Sequence, residues 1–201
     1  MDSESQEALT KACAFAIQHH SHHRRKGSSI PYVSHLLQVA GSVFEHGGDL
    51  EQAIAALCHD TLEDCDEVDV SLLEKEFGSR VAKIVQDCTD TFEADTPDKK
   101  SAWRERKEAY LAHLATADKD SVLVAACDKL HNLSSIVADV YTHGTGYLTR
   151  FSGSPQQQNW YFSTFLENTR DRLPKRLILR FEETLLAFQS QIAAIPSSTQ
   201  Q

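Results

Sequence analysis

Apolar positions along this chain recur mostly at three- and four-residue intervals, the spacing that lines one face of a helix. Sustained two-residue alternation is missing. β-Branched runs are few, and no Asn-Gly or Asp-Gly pair is present to turn a hairpin. The pattern predicts helices over residues 4–24, 34–47, 49–63, 70–76, 78–90, 99–116, 118–138, 155–169 and 171–193. Breaks are expected at Gly27-Ser28-Ser29-Ile30-Pro31, at Gly47-Gly48, at Ala94-Asp95-Thr96-Pro97 and between Gly144 and Pro155. Asp49 follows the glycine pair as a natural N-cap, and Gln52 three residues on completes a capping box. With no repeat and no linker, the expected fold class is all-α, one domain over residues 1–195 with a frayed polar tail, 196–201.

Composition narrows the class. A chain of 201 residues can bury a real core. Its 41% hydrophobic and 24% charged content is that of an ordinary soluble globular protein. Cys13, Cys58, Cys65, Cys88 and Cys127 form no C-x-x-C pair and sit mostly among apolar residues, as reduced, buried thiols of a cytoplasmic protein would. No apolar stretch is long enough to span a bilayer, and Met1-Asp2-Ser3-Glu4-Ser5 lacks the positive flank and apolar core of a signal peptide. The net charge of −9 argues against duplex nucleic acid as a partner. It leaves room for a small anionic substrate gripped by a local cationic cluster. Oligomeric state is not legible.

Chemistry concentrates in Ala55-Ala56-Leu57-Cys58-His59-Asp60-Thr61-Leu62-Glu63-Asp64, where an apolar run ends in an imidazole and three carboxylates. If the helix continues through it, His59 stacks with Glu63 and Asp60 with Asp64. Two partners stand elsewhere: His35, at the start of a predicted helix, and Asp128, at the end of the small apolar run Val122 to Cys127. Burying an unpaired carboxylate there would be costly, and a cation removes that cost. Two His and two Asp without thiolate suit Mn²⁺, with Fe²⁺, Co²⁺ or Zn²⁺ as other divalent possibilities. Such a set can activate water for hydrolysis.

With His35, His59-Asp60 and Asp128 in this order, the chain resembles the HD superfamily of metal-dependent phosphohydrolases, whose domain is a helical bundle. Further runs resemble the hydrolase domain of the RelA/SpoT alarmone enzymes: Arg24-Arg25-Lys26, Pro31-Tyr32-x-x-His35, Phe77-Gly78-x-x-Val81, Arg106-Lys107 and Asp128-Lys129-Leu130-His131-Asn132-Leu133. The similarity covers roughly residues 12–170, and the length points to the stand-alone small alarmone hydrolases, without a synthetase domain. The resemblance implies removal of the 3′-pyrophosphate of (p)ppGpp, giving GDP or GTP, with Mn²⁺ as the usual metal. It implies His35, His59, Asp60 and Asp128 as metal ligands and Glu63 and Asp64 as catalytic carboxylates. Arg25 and Lys26 would lie beside the nucleotide base, and Asn132 and Tyr161 would touch substrate.

Lys129, next to a metal ligand, is a candidate for transition-state charge, as are Lys99, Lys100, Arg104 and Arg106. Base choice stays open between guanine and adenine alarmones. The same chemistry on NADPH, a 3′-pyrophosphorylated tRNA end or simple nucleotides is an alternative, as is a silent nucleotide sensor. Retention of all four ligands with Glu63-Asp64 argues against the sensor.

Blander readings belong to several residues. Arg24-Arg25-Lys26 alone reads as a cationic last turn of a helix. His19, His20, His22 and His23 read as a solvated or partly packed helix surface that could pick up adventitious metal, with a second functional metal site as the lesser alternative. Trp103 and Trp160 read as packing residues, and Arg104 to Glu108 as an exposed helical face.

Overall fold

A computed structural model describes residues 1–90 and 103–195. Ten α-helices are described: α1 Ser3–His19, α2 Val33–Glu45, α3 Leu50–Cys58, α4 Thr61–Asp64, α5 Val70–Phe77, α6 Ser79–Cys88, α7 Trp103–Thr116, α8 Lys119–His143, α9 Pro155–Thr169 and α10 Lys175–Ala193. Short 3₁₀ turns span Thr145–Arg150 and Arg170–Arg172. Among the described residues the sole β pairing is an isolated bridge between Arg24 and Pro31. None of these helices is long and apolar enough to cross a membrane. The all-α expectation holds. Lys99 and Lys100, the start of the helix expected over 99–116, the break at Ala94 to Pro97 and the tail 196–201 lie outside the described residues.

Two helices form the centre. In α3 every residue from Gln52 to Cys58 is buried, and in α8 every residue from Ser121 to Asp128. Ala53, Ala55 and Ala56 on one and Ala125 and Ala126 on the other keep the side chains small where α2, α3, α6 and α8 pack together. α1 covers α3 on one flank, while α9 and α10 close the opposite end around Phe165 and Phe181, whose rings stack 5.8 Å apart.

The α2–α3 hairpin sets up the site. Gly47 adopts φ +87°, and a Cβ at Gly48 would stand 2.4 Å from Val43 Cγ1, so the turn requires glycine at both places. The Asp49–Gln52 capping box then starts α3, its two bonds measuring 2.9 and 3.0 Å. This tight reversal lays the start of α2 beside the end of α3, which brings His35 next to His59.

Several boundaries differ from expectation, each for a local reason. The first helix stops at His19 rather than near residue 24. The chain then folds back on itself, with Arg25 N–H donating to the Ile30 carbonyl at 2.9 Å and Tyr32 N–H to that of His23 at 3.1 Å. Arg24-Arg25-Lys26 is therefore part of a loop, not a cationic helix end. The helix expected over 49–63 breaks after Cys58, where the Thr61 hydroxyl donates to the Cys58 carbonyl at 2.7 Å and a single separate turn, α4, follows. Asp60 becomes the N-cap of α4, and Asp64 still lies one turn on from it, its N–H donating to the Asp60 carbonyl at 3.0 Å. Pro174 interrupts the helix expected over 171–193, so α10 starts at Lys175. α8 runs on to His143, five residues past the expected end, and stops at Gly144 with φ +80°.

Candidate metal centre and nucleotide cleft

Three helices deliver the four expected ligands to one point. α2 brings His35, the break after α3 brings His59 and Asp60, and the buried stretch of α8 brings Asp128. His35 Nε2 stands 3.2 Å from Asp128 Oδ1 and 3.5 Å from Asp60 Oδ2. His59 Nε2 stands 3.0 Å from Asp60 Oδ2 and 3.5 Å from Asp128 Oδ1. Among the described residues both Nε2 atoms are fully buried without a hydrogen-bond partner. His35, His59 and Asp128 bring one donor atom each within 4.8 Å of one another, while the half-buried Asp60 stands beside the two imidazoles. Two orphaned nitrogens with carboxylate oxygens at these spacings fit a divalent cation coordinated by nitrogen and oxygen.

The ring orientations are held from behind. His59 Nδ1 donates to the Ala56 carbonyl at 2.8 Å, which directs the Nε2 lone pair into the site. His35 Nδ1 meets His131 Nδ1 at 2.7 Å. Burial and the neighbouring His35 lower the His131 imidazole to about 4, so it stays neutral and can accept from His35 Nδ1 when His35 Nε2 is kept bare for a metal. The Tyr32 hydroxyl donates to Asp60 Oδ2 at 2.6 Å. Asp128 accepts from Asn132 and from Lys129, both at 2.6 Å. Sequence reasoning left Tyr32 and His131 without roles. The available signal was helical spacing, since His131 lies three residues after Asp128 on the same face.

Burial alone would raise both aspartates. For Asp128 the Lys129 ammonium and His59 outweigh it, and for Asp60 the imidazoles of His59 and His35 do, so both carboxyls lie well below their ordinary range. Burial likewise opposes a proton on His59, but the two carboxylates outweigh it and hold this imidazole well above its ordinary value. The field that favours a proton there equally favours a metal cation.

A cleft of about 520 Å³ opens beside this cluster. Arg25 stacks over the Tyr32 ring at 5.6 Å and donates to Asn132 Oδ1 at 2.8 Å. Lys26 donates to the Ser152 hydroxyl at 3.0 Å at the cleft mouth. Lys107, which sequence reasoning assigned no role, lies over the buried Tyr161 ring at 4.9 Å and pairs with Asp90. Lys129, Asn132 and Tyr161 line the same cleft. Trp103 lines it too, packed against the core and against Trp160 and Tyr161. Trp160 packs edge-on against Trp103 and carries Arg104 over its ring, so Arg104 is turned to the surface with Glu108. Arg106 is half-buried, its Nε without a partner.

Glu63 and Asp64 stand on α4, just beyond His59 and Asp60. Glu63 accepts from the Asp90 backbone N–H. It is open to solvent yet surrounded by protein, and that crowding, with the Asp60 charge next in weight, raises its carboxyl to about 7.

A buried two-histidine, two-aspartate centre in an all-helical bundle is the mark of a metal-dependent phosphohydrolase class. A family model described as HD domain matches residues 12–144, and the chain belongs to that family. The guanosine-3′,5′-bis(diphosphate) 3′-pyrophosphohydrolase MESH1 of Danio rerio is 35% identical over 140 residues, covering 68% of this chain and 73% of the relative. The enzyme of that activity from Aquifex aeolicus is 37% identical over 131 residues, 65% of this chain but 18% of its own much longer one. A solved structure described as a metazoan ortholog of SpoT that hydrolyzes ppGpp superposes with a TM-score of 0.67 at 25% identity. It covers 89% of this chain and 94% of the other.

Proposed function

We infer that this protein is a divalent-metal-dependent hydrolase that removes the 3′-pyrophosphate of guanosine alarmones, taking (p)ppGpp and water to GDP or GTP and pyrophosphate. The observation that carries the reading is the convergence of two orphaned imidazole nitrogens and two aspartates beside a cleft lined by Arg25, Lys26, Lys107 and Lys129. Relatives that bear this activity by name support it. His35, His59, Asp60 and Asp128 would hold the ion, and the nitrogen/oxygen set favours Mn²⁺.

When bound, such a cation makes a water more acidic and neutralises phosphoryl charge. Glu63, raised to about 7, suits acceptance of the water proton near neutrality. Asp64 shares its helical turn and would help orient the attacking water. Lys129 and Lys107 lie where they would spread the charge of the transferring phosphoryl group. Arg25, lying over Tyr32 and tied to Asn132, would grip the purine, with Lys26 and Tyr161 lining the same cleft.

The test is a product assay with chelator-stripped, Mn²⁺-reloaded protein offered ppGpp, pppGpp, ppApp, NADPH and nucleoside monophosphates. Metal-dependent release of pyrophosphate from ppGpp is expected. Turnover confined to NADPH or monophosphates, or silence on every substrate, would overturn the reading.

A further inference from the structure

A second cluster of metal-binding side chains stands behind the catalytic centre. α1 ends at His19, and the turn after it places His20 and His23 on one side, with His23 N–H donating to the His20 carbonyl at 3.1 Å. Their Nδ1 atoms are 3.0 Å apart. Cys65 closes α4 and brings its sulfur 3.9 Å from His20 Nε2. One donor atom from each of the three residues lies within 4.8 Å of the others. His20 and Cys65 are 2% and 5% exposed, whereas His23 is half-buried, so the cluster is enclosed on the protein side and reachable from solvent. Of the histidine run, expected to be a solvated or partly packed helix surface, His20 is the buried member, and it lies just past the end of α1. Fold-back of the chain, invisible in the local pattern, buries it.

We propose that His20, His23 and Cys65 form a second cation site, selective for a thiophilic divalent ion such as Zn²⁺, that is linked to the catalytic centre through Tyr32. Three arguments support it. The donor set is chemically distinct from the first: a thiol with two imidazoles favours Zn²⁺ or Co²⁺, while the thiol-free first set tolerates harder ions.

The spacing is also close to what a cation needs. Zinc–nitrogen and zinc–sulfur bonds of roughly 2.0–2.3 Å put tetrahedral donors about 3.3–3.8 Å apart. His20 offers an ion one of its two nitrogens, so its contacts to His23 and to Cys65 are not both kept, and from donors within 4.8 Å of one another closure takes about an ångström of side-chain movement. His23, the least buried of the three, has room for it.

The surroundings are acidic as well: Asp64 and Glu67 flank Cys65 in the chain and Glu67 stands 2.8 Å from His19 Nδ1, a setting that suits a cation whose binding releases the thiol proton to solvent.

The link to the centre is short. The His20 ring stacks on Tyr32 with centroids 5.2 Å apart and planes inclined by 19°. The Tyr32 hydroxyl in turn holds Asp60 Oδ2 at 2.6 Å. Drawing His20 toward an ion re-aims the ring on which Tyr32 rests and disturbs its bond to Asp60. Filling the second site should therefore slow the reaction.

Co²⁺ titration of chelator-stripped protein provides the test, because a thiolate ligand gives a near-ultraviolet charge-transfer band that the first, thiol-free donor set cannot, and Cys65→Ser tells Cys65 from the other four free cysteines. The band is expected to saturate near one equivalent beyond the ion held by the first site. It should vanish in Cys65→Ser and weaken at least tenfold in affinity in His23→Gln. Both variants should melt as the wild type does and keep its basal rate. Absence of the band in wild-type protein would overturn the site.

A second arm measures Zn²⁺ inhibition of the Mn²⁺-loaded enzyme, and this arm alone rests on the alarmone reading. Inhibition relieved at least fivefold in Cys65→Ser supports the link through Tyr32. Equal inhibition of both proteins would place zinc at the first site instead and overturn the link.

Discussion

His35 and His131 meet through their Nδ1 atoms at 2.7 Å, and this contact decides which nitrogen His35 turns toward the metal centre. A metal on His35 Nε2 needs that nitrogen bare, which leaves the proton on Nδ1 to be donated to His131, whose neutral ring can accept it. His131 is thus a positioning residue. Replacing it by Ala should weaken divalent-metal affinity by roughly 10–100-fold, the usual effect of losing a group that orients a ligand. Excess Mn²⁺ should restore much of the rate. Metal titration followed by calorimetry checks it, and unchanged affinity would show that packing alone holds His35.

Glu63→Gln should retain metal and nucleotide binding while kcat falls by roughly 10²–10⁴-fold, the contribution of a positioned general base. The sign of the pH effect follows from the raised carboxyl. Below about 7 Glu63 is protonated and cannot accept a proton, so the rate should rise with pH as it ionises. A bound divalent cation favours the ionised form and moves this limb to lower pH. The limb should be missing from the pH profile of Glu63→Gln. If the variant keeps the wild-type kcat, the base lies elsewhere.

Removing the metal should cost stability as well as activity. An ion held at one hundred times its dissociation constant stabilises the folded state by about 2.7 kcal/mol. For a chain of this size that corresponds to roughly 5–10 °C in melting temperature. Scanning calorimetry with chelator and with Mn²⁺ should show the difference. His59→Ala, which deletes one of the buried orphan nitrogens, should abolish both the shift and the turnover.

Arg25→Ala should act mainly on KM. Its guanidinium lies over Tyr32 and bonds Asn132, away from the metal ligands' own donor atoms. A cation–π or charge-assisted contact to a purine is worth about 1–2 kcal/mol, so KM should rise roughly 5–30-fold with kcat nearly intact. Steady-state kinetics on ppGpp separates the two parameters. A fall in kcat with unchanged KM would assign Arg25 to the reacting phosphates.

Much of this protein was settled by sequence alone. Helical periodicity, the glycine turn at Gly47-Gly48 and the Asp49–Gln52 cap are consequences of local geometry, and the structure keeps them. His35, His59, Asp60 and Asp128 were legible because a charged group at the end of an apolar run needs a partner, and their order resembles a known family. Tertiary structure decided the rest. The break after Cys58 depends on a hydroxyl-to-carbonyl bond at Thr61 that competes with the helix. It turns His59 and Asp60 together onto one point, which an unbroken helix would not do. The loop carrying Arg25 is held by backbone bonds to residues as far along as Ile30 and Tyr32, so its charge faces the cleft rather than a helix end. His131 behind His35, Tyr32 on Asp60 and Cys65 beside His20 are contacts between elements 28 to 96 residues apart in sequence. Periodicity reports which face of one helix is apolar. It carries no information about which polar atoms meet when several such faces pack.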